Sequence, residues 1–491
     1  MSAAVETMPT ATVAPTTRRA HGLGRLALQL TRARFGAGEG ESLLWGASVG
    51  AYAAVAATAL TVAAGTHMFW TRWKHPDGLV ADVLAGDPTF AIIPMFYFVL
   101  AVIACALVIP SAITLASGAA VLGARGRERR LATLRLLGLS SGDVARMTLT
   151  DTTIQASVGT VIGTVVYWLT RGLWHHLEML GMNLTTEEMT LPWWLMLAVA
   201  ASVVVLGLIA SWRGLRQVRI SPLGVARLSS RPALGWWRLA IFAVIMIVGG
   251  MVWGSFSPTG STVSALVITG TVLLVMVQSV NLIGPWILQQ ISRATAALHS
   301  ATITWAARRI QSAPTQTWQR VSGIMLLSLI GAYVSIMPVT TNSDGTKEAA
   351  TTFVERTQWD FTKGAIIVLA FGLLLTAVSV FISQASAVFE RAEQTRAMHR
   401  MGAPLSFSLR VMWVETLGPL VVATVLGAVT GYSLALPMLH FAQRAGLDNT
   451  SVGIGIMEGI LAAGLGFSVL ALAFCHPLQK RVLTEGQRAN D

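Results

Sequence analysis

Three carboxylates lie within stretches of sequence that are otherwise apolar: Asp151, Glu415 and Glu458. A carboxylate inside a bilayer is costly, and proteins keep one there chiefly to carry a proton, contact a substrate or pair with a cation. Asp151 and Glu415 fall near the cytoplasmic ends of their predicted helices, where water or an arginine of the preceding basic segment can reach them. A structural role is therefore the favoured interpretation for these two. Glu458 falls about a turn and a half from the external end of its helix, and both a role in a substrate path and a solvated interfacial position stay open.

The sequence offers little else that could do chemistry. Its two cysteines, Cys105 and Cys475, both lie in apolar runs, so neither a disulfide framework nor a metal site is predicted. The pattern G-x-x-x-x-G-K-[ST], which cradles nucleotide phosphates, does not occur in the sequence. We therefore predict no catalytic residue, no metal and no cofactor bound by this chain, and any nucleotide chemistry must come from a partner.

The elements that must position the three carboxylates are membrane-spanning helices. The sequence is 54% hydrophobic and 12% charged, whereas soluble proteins carry roughly 25% charged residues. The predicted fold is therefore an all-α polytopic membrane protein. Runs long enough to cross a bilayer, which takes about 20 residues, lie at 43–65, 91–123, 149–170, 192–212, 236–255, 263–288, 321–339, 364–387, 413–437 and 453–475.

The distribution of basic residues predicts how these ten spans are oriented. With the N-terminus in the cytoplasm, the cytoplasmic segments hold 28 of the 35 Lys and Arg residues and the external segments hold 7. Such an asymmetry is typical of the positive-inside rule, so both termini are predicted to be cytoplasmic. The net charge of +12 is explained by topology and by contact with anionic lipids, and nucleic acid is not an expected partner.

Two segments of the sequence, 264 residues apart, share one arrangement. In each, a basic segment leads to a glycine, and an apolar helix with one carboxylate near its start follows. A short basic helix that ends in a glycine would protrude from the membrane and be continuous with two spans, so that a push on it would move both. The matching pairs are Gly138 and Gly402, Arg146 and Arg410, Asp151 and Glu415, and Gly163 and Gly427.

This internal repeat predicts the domain organisation. Residues 1–42 form a cytoplasmic tail with an amphipathic lead-in helix, and residues 479–491 form a second tail. Residues 43–234 and 291–478 each form a four-span repeat, and a two-span linker at 235–290 joins them.

Small residues four apart predict where helices pack tightly. Gly159 and Gly163 in the first repeat, and Gly427 and Gly431 in the second, allow two helix backbones to approach closely.

The sequence resembles the FtsX-like permease family of ABC transporters, which includes MacB and BceB. The resemblance rests on Leu-Arg-Leu-Leu-Gly138-Leu-Ser-Ser with Asp151 thirteen residues later, and on Arg396-Ala-Met-His-Arg-Met-Gly402-Ala-Pro with Glu415 thirteen residues later. The segment Arg216-Gln-Val-Arg219-Ile-Ser-Pro222-Leu also resembles the sequence that follows the family's fourth span.

The resemblance implies that each basic segment forms a coupling helix that docks on a cytoplasmic ABC ATPase, with two ATPase copies per chain. ATP and Mg²⁺ would act only through that partner. The residues implied in coupling are Arg135, Gly138, Leu139, Ser140, Arg146, His399, Gly402, Ala403, Pro404 and Arg410.

The expected function is that of a permease subunit in a cell membrane. The resemblance implies a bacterial plasma membrane. The subunit would export a hydrophobic or amphipathic compound such as a drug, a peptide antibiotic or a lipid. Two alternatives stay open. One is a regulator that transmits ATPase motion without transporting anything, as some FtsX relatives do. The other is a proton-coupled secondary transporter, whose repeats can also be internal.

Overall fold

The computed structural model describes residues 41–86, 92–125, 141–219, 234–254, 262–298, 300–335, 349–390 and 392–444, with six single residues beyond 458. Nearly all of these residues are helical, so the predicted all-α class is confirmed. The described ranges include helices at the first nine predicted spans. The tenth predicted span, at 453–475, lies outside the described residues apart from those single positions.

The described residues of the first half of the chain contain five α-helices, a 3₁₀ helix and one hairpin. The helices are α1 (Glu41–Lys74), α2 (Gly78–Gly86), α3 (Ile92–Arg125), α4 (Ser141–Thr170) and α5 (Trp193–Arg219). Between α4 and α5 lie a 3₁₀ helix (Arg171–His176) and an antiparallel hairpin of β1 (Glu178–Met179) and β2 (Met182–Asn183).

The regular elements described in the second half of the chain are all α-helices. Its helices are α6 (Trp237–Gly254), α7 (Thr262–Ala296), α8 (Ala301–Ser312), α9 (Pro314–Ser335), α10 (Ala349–Glu390), α11 (Ala392–Arg400) and α12 (Leu405–Arg444).

Five of these helices are long and apolar enough to cross a membrane by length and composition. Within the described residues their apolar parts are Trp45–Lys74, Ile93–Ala120, Trp193–Arg213, Lys363–Val388 and Ser406–Leu436. A polytopic membrane protein is therefore supported, while the total of ten spans stays a prediction.

The helices form two bundles that meet along α3 and α10. In the first bundle, α1 packs against α3, α4 and α5, and in the second, α9 packs against α10 and α12. The pair α6 and α7 packs against the second bundle through α7. Where the bundles meet, Leu375 and Ile382 of α10 enter a core formed mainly by small residues of α1 and α3, such as Ala51 and Ala116.

Glycines set the spacing of one helix pair in each bundle. A Cβ atom added to Gly159 or Gly163 of α4 would collide with the backbone of α1, including the carbonyl oxygens of Val49 and Ala53. A Cβ added to Gly427 or Gly431 of α12 would collide in the same way with the carbonyl oxygens of Met325 and Leu329 in α9. Both contacts are therefore close backbone-to-backbone approaches that only glycine permits.

At the predicted external end, α2 and residues 171–191 fold into a small cap over the ends of α1, α3 and α10. Two aromatic residues of the cap, Phe69 and Trp174, are partly buried against its apolar clusters. Trp73 stacks on Phe98 with ring centroids 5.6 Å apart. These aromatic contacts help to hold the cap against the helix ends.

A buried arginine, Arg72 of α1, anchors the cap. Its guanidinium donates hydrogen bonds to Glu188 at 2.8 and 3.0 Å and to the carbonyl oxygen of Met179 at 2.7 Å. Burial raises the pKa of Glu188, but the hydrogen bonds from Arg72 and Thr185 outweigh it and hold that pKa below its usual value. The pair is therefore charged in the folded protein at neutral pH.

Replacing Gly431 with Leu should separate α12 from α9 and destabilise the protein by about 3 kcal/mol, because a backbone carbonyl cannot move aside as a side chain can. We expect a lower Tm in detergent. Gly418→Leu is the matched control, since Gly418 lies on the same helix with no atom within 4 Å of its added Cβ. Equal Tm values for the two variants would contradict the packing described.

Replacing Glu188 with Gln should lower the Tm at neutral pH by an amount equivalent to about 1 to 2 kcal/mol. Because the folded-state pKa is depressed, the stabilisation is present above the unfolded-state pKa of about 4.3 and is lost as pH falls through the folded-state value. The difference from the unmodified protein should therefore shrink in acid. Glu187→Gln, at the exposed neighbour, should change the Tm at neither pH, and a difference independent of pH would contradict this prediction.

Candidate coupling site

The helix α11 lies between α10 and α12 and ends in a glycine turn. Gly402 has a φ of +90°, which residues other than glycine rarely adopt. The amide of Ala403 donates to the carbonyl oxygen of Met398, and that of Gly402 donates to the carbonyl oxygen of His399, both at 3.0 Å. This pair of hydrogen bonds is the Schellman motif, which satisfies the last carbonyl groups of a helix. The turn is therefore well defined although it lies at the surface.

The tip formed by α11 and the glycine turn projects from the bundle. The side chain of Met401 is 78% exposed, and His399, Arg400, Gly402 and Pro404 are exposed as well. A large exposed apolar side chain surrounded by basic residues is suited to contact with another protein. Four of the ten predicted coupling residues lie at this tip: His399, Gly402, Ala403 and Pro404.

Beneath the tip is a groove that is open to the surface. Thr395 and Met398 of α11 form one side of it, and Trp305 and Arg309 of α8 form another. The ends of α10 and α12 complete the groove, where Val388 of α10 packs with Met412 of α12. The groove therefore lies between α11 and three other helices.

Glu415 pairs with an arginine of the short amphipathic helix α8. Arg309 Nη1 lies 3.3 Å from Glu415 Oε2, and the two side chains are 20% and 10% exposed. On α8, Ala306, Ala307 and Ile310 are buried, so the helix lies with its apolar side against the bundle. The carboxylate thus fastens α12 to the helix that precedes α9.

Asp151 occupies a buried polar cluster between α4 and α1. Gln155 Nε2 donates to Asp151 Oδ2 at 3.2 Å, and Ser48 Oγ donates to Gln155 Oε1 at 2.9 Å. Ser48 Oγ also lies 3.0 Å from the carbonyl oxygen of Ala119, which brings α3 into the same cluster. Asp151 is 5% exposed, so its surroundings are protein. The cluster joins three helices of the first bundle.

The structure places the other predicted residues as follows. Arg146 and Arg410 are exposed near the starts of α4 and α12, at the same end of the bundle as α11. Gly159, Gly163, Gly427 and Gly431 lie at the helix contacts described above. Arg135, Gly138, Leu139, Ser140 and Glu458 lie outside the described residues.

The sequence predicted that Asp151 and Glu415 would reach water or an arginine of the preceding basic segment, and it did not indicate Arg309 as a partner. The available signal was the amphipathic pattern of 301–312, in which Arg309 follows Trp305 by one helical turn. The groove residue Trp305 was also missed, because a single tryptophan near a predicted span is usual at membrane interfaces.

A protein-family comparison identifies part of the chain. Residues 107–223 match the model of the FtsX-like permease C-terminal domain. The matched stretch runs from the middle of α3, through residues 126–140, α4 and α5, to the segment that ends in Pro222-Leu223. No curated protein matches the sequence significantly.

The match to the FtsX-like permease model supports, in general terms, a membrane subunit of an ABC transporter. Proteins of this family are membrane subunits of ABC transporters, are generally not catalytic, and associate with a cytoplasmic ABC ATPase. The resemblance inferred from the basic segment and Asp151 is confirmed, since both lie within the matched residues.

The pair of Arg309 and Glu415 should show energetic coupling in a double-mutant cycle. Arg309→Ala and Glu415→Gln should each lower the Tm, and the double variant should lose less than the sum, with a coupling energy of about 1 to 2 kcal/mol. Arg308→Ala, which removes the adjacent exposed arginine, is the matched control and should act additively with Glu415→Gln. Additive losses for the first pair would show that the contact does not join α8 to α12.

Proposed function

We propose that this chain is the membrane subunit of an ATP-driven exporter. Its cargo would be a hydrophobic or amphipathic compound, such as a drug, a peptide antibiotic or a lipid, and two cytoplasmic ATPase subunits would supply the energy. The observation that carries this proposal is the projecting tip of α11, with Met401 exposed and Gly402 in a fixed turn. The FtsX-like domain supplies the class of partner.

The tip can transmit force because of how α11 is connected. One residue, Arg391, separates it from the end of α10, and a four-residue turn separates it from the start of α12. Side chains of α10 and α12 also pack on each other at the groove. A force from an ATPase on α11 would therefore move two long helices together rather than bend a loop.

A second coupling element is proposed within residues 126–140. This segment lies inside the FtsX-like domain, and its Gly138 precedes Gly402 by 264 residues. Two elements in one chain suit two ATPase subunits, with the two bundles replacing two separate permease chains.

The packing of the two bundles supports the internal repeat. The contact of α4 with α1 and that of α12 with α9 use glycines four residues apart against carbonyl oxygens four residues apart. The bundles meet where α3 contacts α10, and these helices precede α4 and the α11–α12 segment, respectively. An approximate two-fold axis between α3 and α10 relates such an arrangement.

The surroundings of two carboxylates favour ATP over a proton gradient as the energy source. Glu415 is paired with Arg309, and Asp151 is hydrogen-bonded within a cluster that joins three helices. Both side chains therefore have a structural role that requires no change of protonation. A proton-coupled carrier needs at least one acid that loads and releases a proton.

Changing Gly402 should separate insertion of the protein from coupling. Gly402→Val should be strained at φ +90° and displace the tip, reducing stimulation of the co-purified ATPase by about tenfold while leaving the amount of inserted protein unchanged. Gly402→Asn is the control, since asparagine tolerates positive φ better than a β-branched residue. The measurement is ATPase activity with the permease in nanodiscs, and unchanged stimulation by the Val variant would contradict coupling through α11.

Transport measurements on the same permease and ATPase in vesicles separate the three functional classes. Movement of a labelled compound in vesicles with ATP and the partner ATPase would identify an exporter. ATPase stimulation without movement of any tested compound would favour a regulator. Movement that follows a proton gradient without ATP would overturn the ABC reading.

A further inference from the structure

We infer that the hairpin Glu178–Asn183 is a latch that holds the two bundles together at the predicted external end and opens when they separate there. The hairpin belongs to the first bundle by sequence, yet its turn is fixed by residues of α10. The latch is defined here as the hairpin together with Asp360 and Lys363 of α10.

The turn of the hairpin has a conformation that its own sequence does not favour. Leu180 has a φ of +57° and Gly181 a φ of +73°, so the two central residues are both left-handed. Glycine adopts this conformation readily, but leucine does so at a cost. Leu180 is nevertheless 1% exposed, packed with Val80 and Tyr97. The surrounding protein therefore keeps this residue in its strained conformation.

Asp360 provides the contact that holds the turn. Its Oδ2 atom accepts the Leu180 amide at 2.6 Å and the Tyr97 hydroxyl at 3.0 Å. The carboxylate is 3% exposed, so these hydrogen bonds replace the water that it would otherwise bind. Three elements meet at this one side chain, namely the hairpin, α3 and α10.

Lys363 adds a second contact from the same helix. Its Nζ atom lies 3.0 Å from Asp360 Oδ1 and donates to the carbonyl oxygen of Glu178 at 2.8 Å. The charge of the buried carboxylate is thereby balanced next to the hairpin. The contacts of Asp360 and Lys363 with the hairpin both require α10 to stay beside it.

The other side of the hairpin is fixed to the first bundle. Arg72 of α1 donates to the carbonyl oxygens of Met179 and Asn183, at 2.7 and 3.4 Å. The hairpin thus stays with α1 when the bundles move apart, and the contacts with α10 are the ones that break. Once broken, Asp360 and Lys363 would be hydrated, so the opening is reversible rather than a loss of fold.

The latch rests on the proposed function only in assuming that the two bundles move relative to each other. The closed contacts involve this chain alone, so the first experiment uses the full chain in nanodiscs without an ATPase.

The first experiment measures hydrogen exchange in the segment 177–184. Asp360→Ala should speed exchange there by about tenfold, because it removes the acceptor of the Leu180 amide. Exchange in α1 and α4 should stay as in the unmodified protein. The control is Asp82→Ala, which removes an exposed carboxylate of α2 in the same cap and should change neither segment. Unchanged exchange at 177–184, or an equal increase throughout α1 and α4, would overturn the latch.

The second experiment locks the latch. A disulfide between Leu180→Cys and Asp360→Cys, in a chain whose two native cysteines are replaced, should stop ATP-driven transport when oxidised and restore it when reduced. Full transport in the oxidised form would overturn the gating role. If the chain transports nothing in either form, the proposed function fails, and the exchange experiment still decides whether the latch exists.

Discussion

Direct contact between helix backbones is the constraint on which the rest of the structure depends. Inside a bilayer two helices gain nothing from leaving water, so close packing must provide the attraction between them. The glycines of α4 and α12 allow this by bringing whole turns of backbone against α1 and α9. Each of these pairs therefore has little freedom to slide or to part, and it forms the rigid centre of its bundle.

The contact between the bundles is of a different kind. At Gly118 of α3, an added Cβ would meet Ile382 of α10 at 3.6 Å, an ordinary van der Waals distance. Side chains at such a distance can adjust when the two bundles shift, whereas the backbone contacts within each bundle cannot. The structure is thus divided into parts that resist deformation and a boundary that tolerates it. Polar contacts at the hairpin then determine how firmly that boundary is held at one end.

The sequence predicted the helices well because each is a local property. Apolar runs, basic residues at one end of the spans and the glycine of the α11 turn could all be recognised without knowledge of distant residues. The contacts of charged side chains could not. Arg309 and Glu415 are 106 positions apart, and Leu180 and Asp360 are 180 apart. Which arginine meets which acid depends on how the helices are arranged, and hydropathy gives no information about that. Arg72 and Lys363 illustrate the same limit, since both lie at the predicted external end of a span and their local sequence does not indicate a partner.

The length of α10 has a mechanical consequence. It runs without a proline or a break from Ala349 to Glu390. Asp360 of the latch and Gln384, which lines the groove, are therefore about 36 Å apart along one helix. A single α-helix hardly shortens under load, since its hydrogen bonds would have to be compressed together. Under the proposed coupling, an axial displacement of α10 at the groove would therefore appear undiminished at its opposite end. The two ends of the helix would then move at the same time.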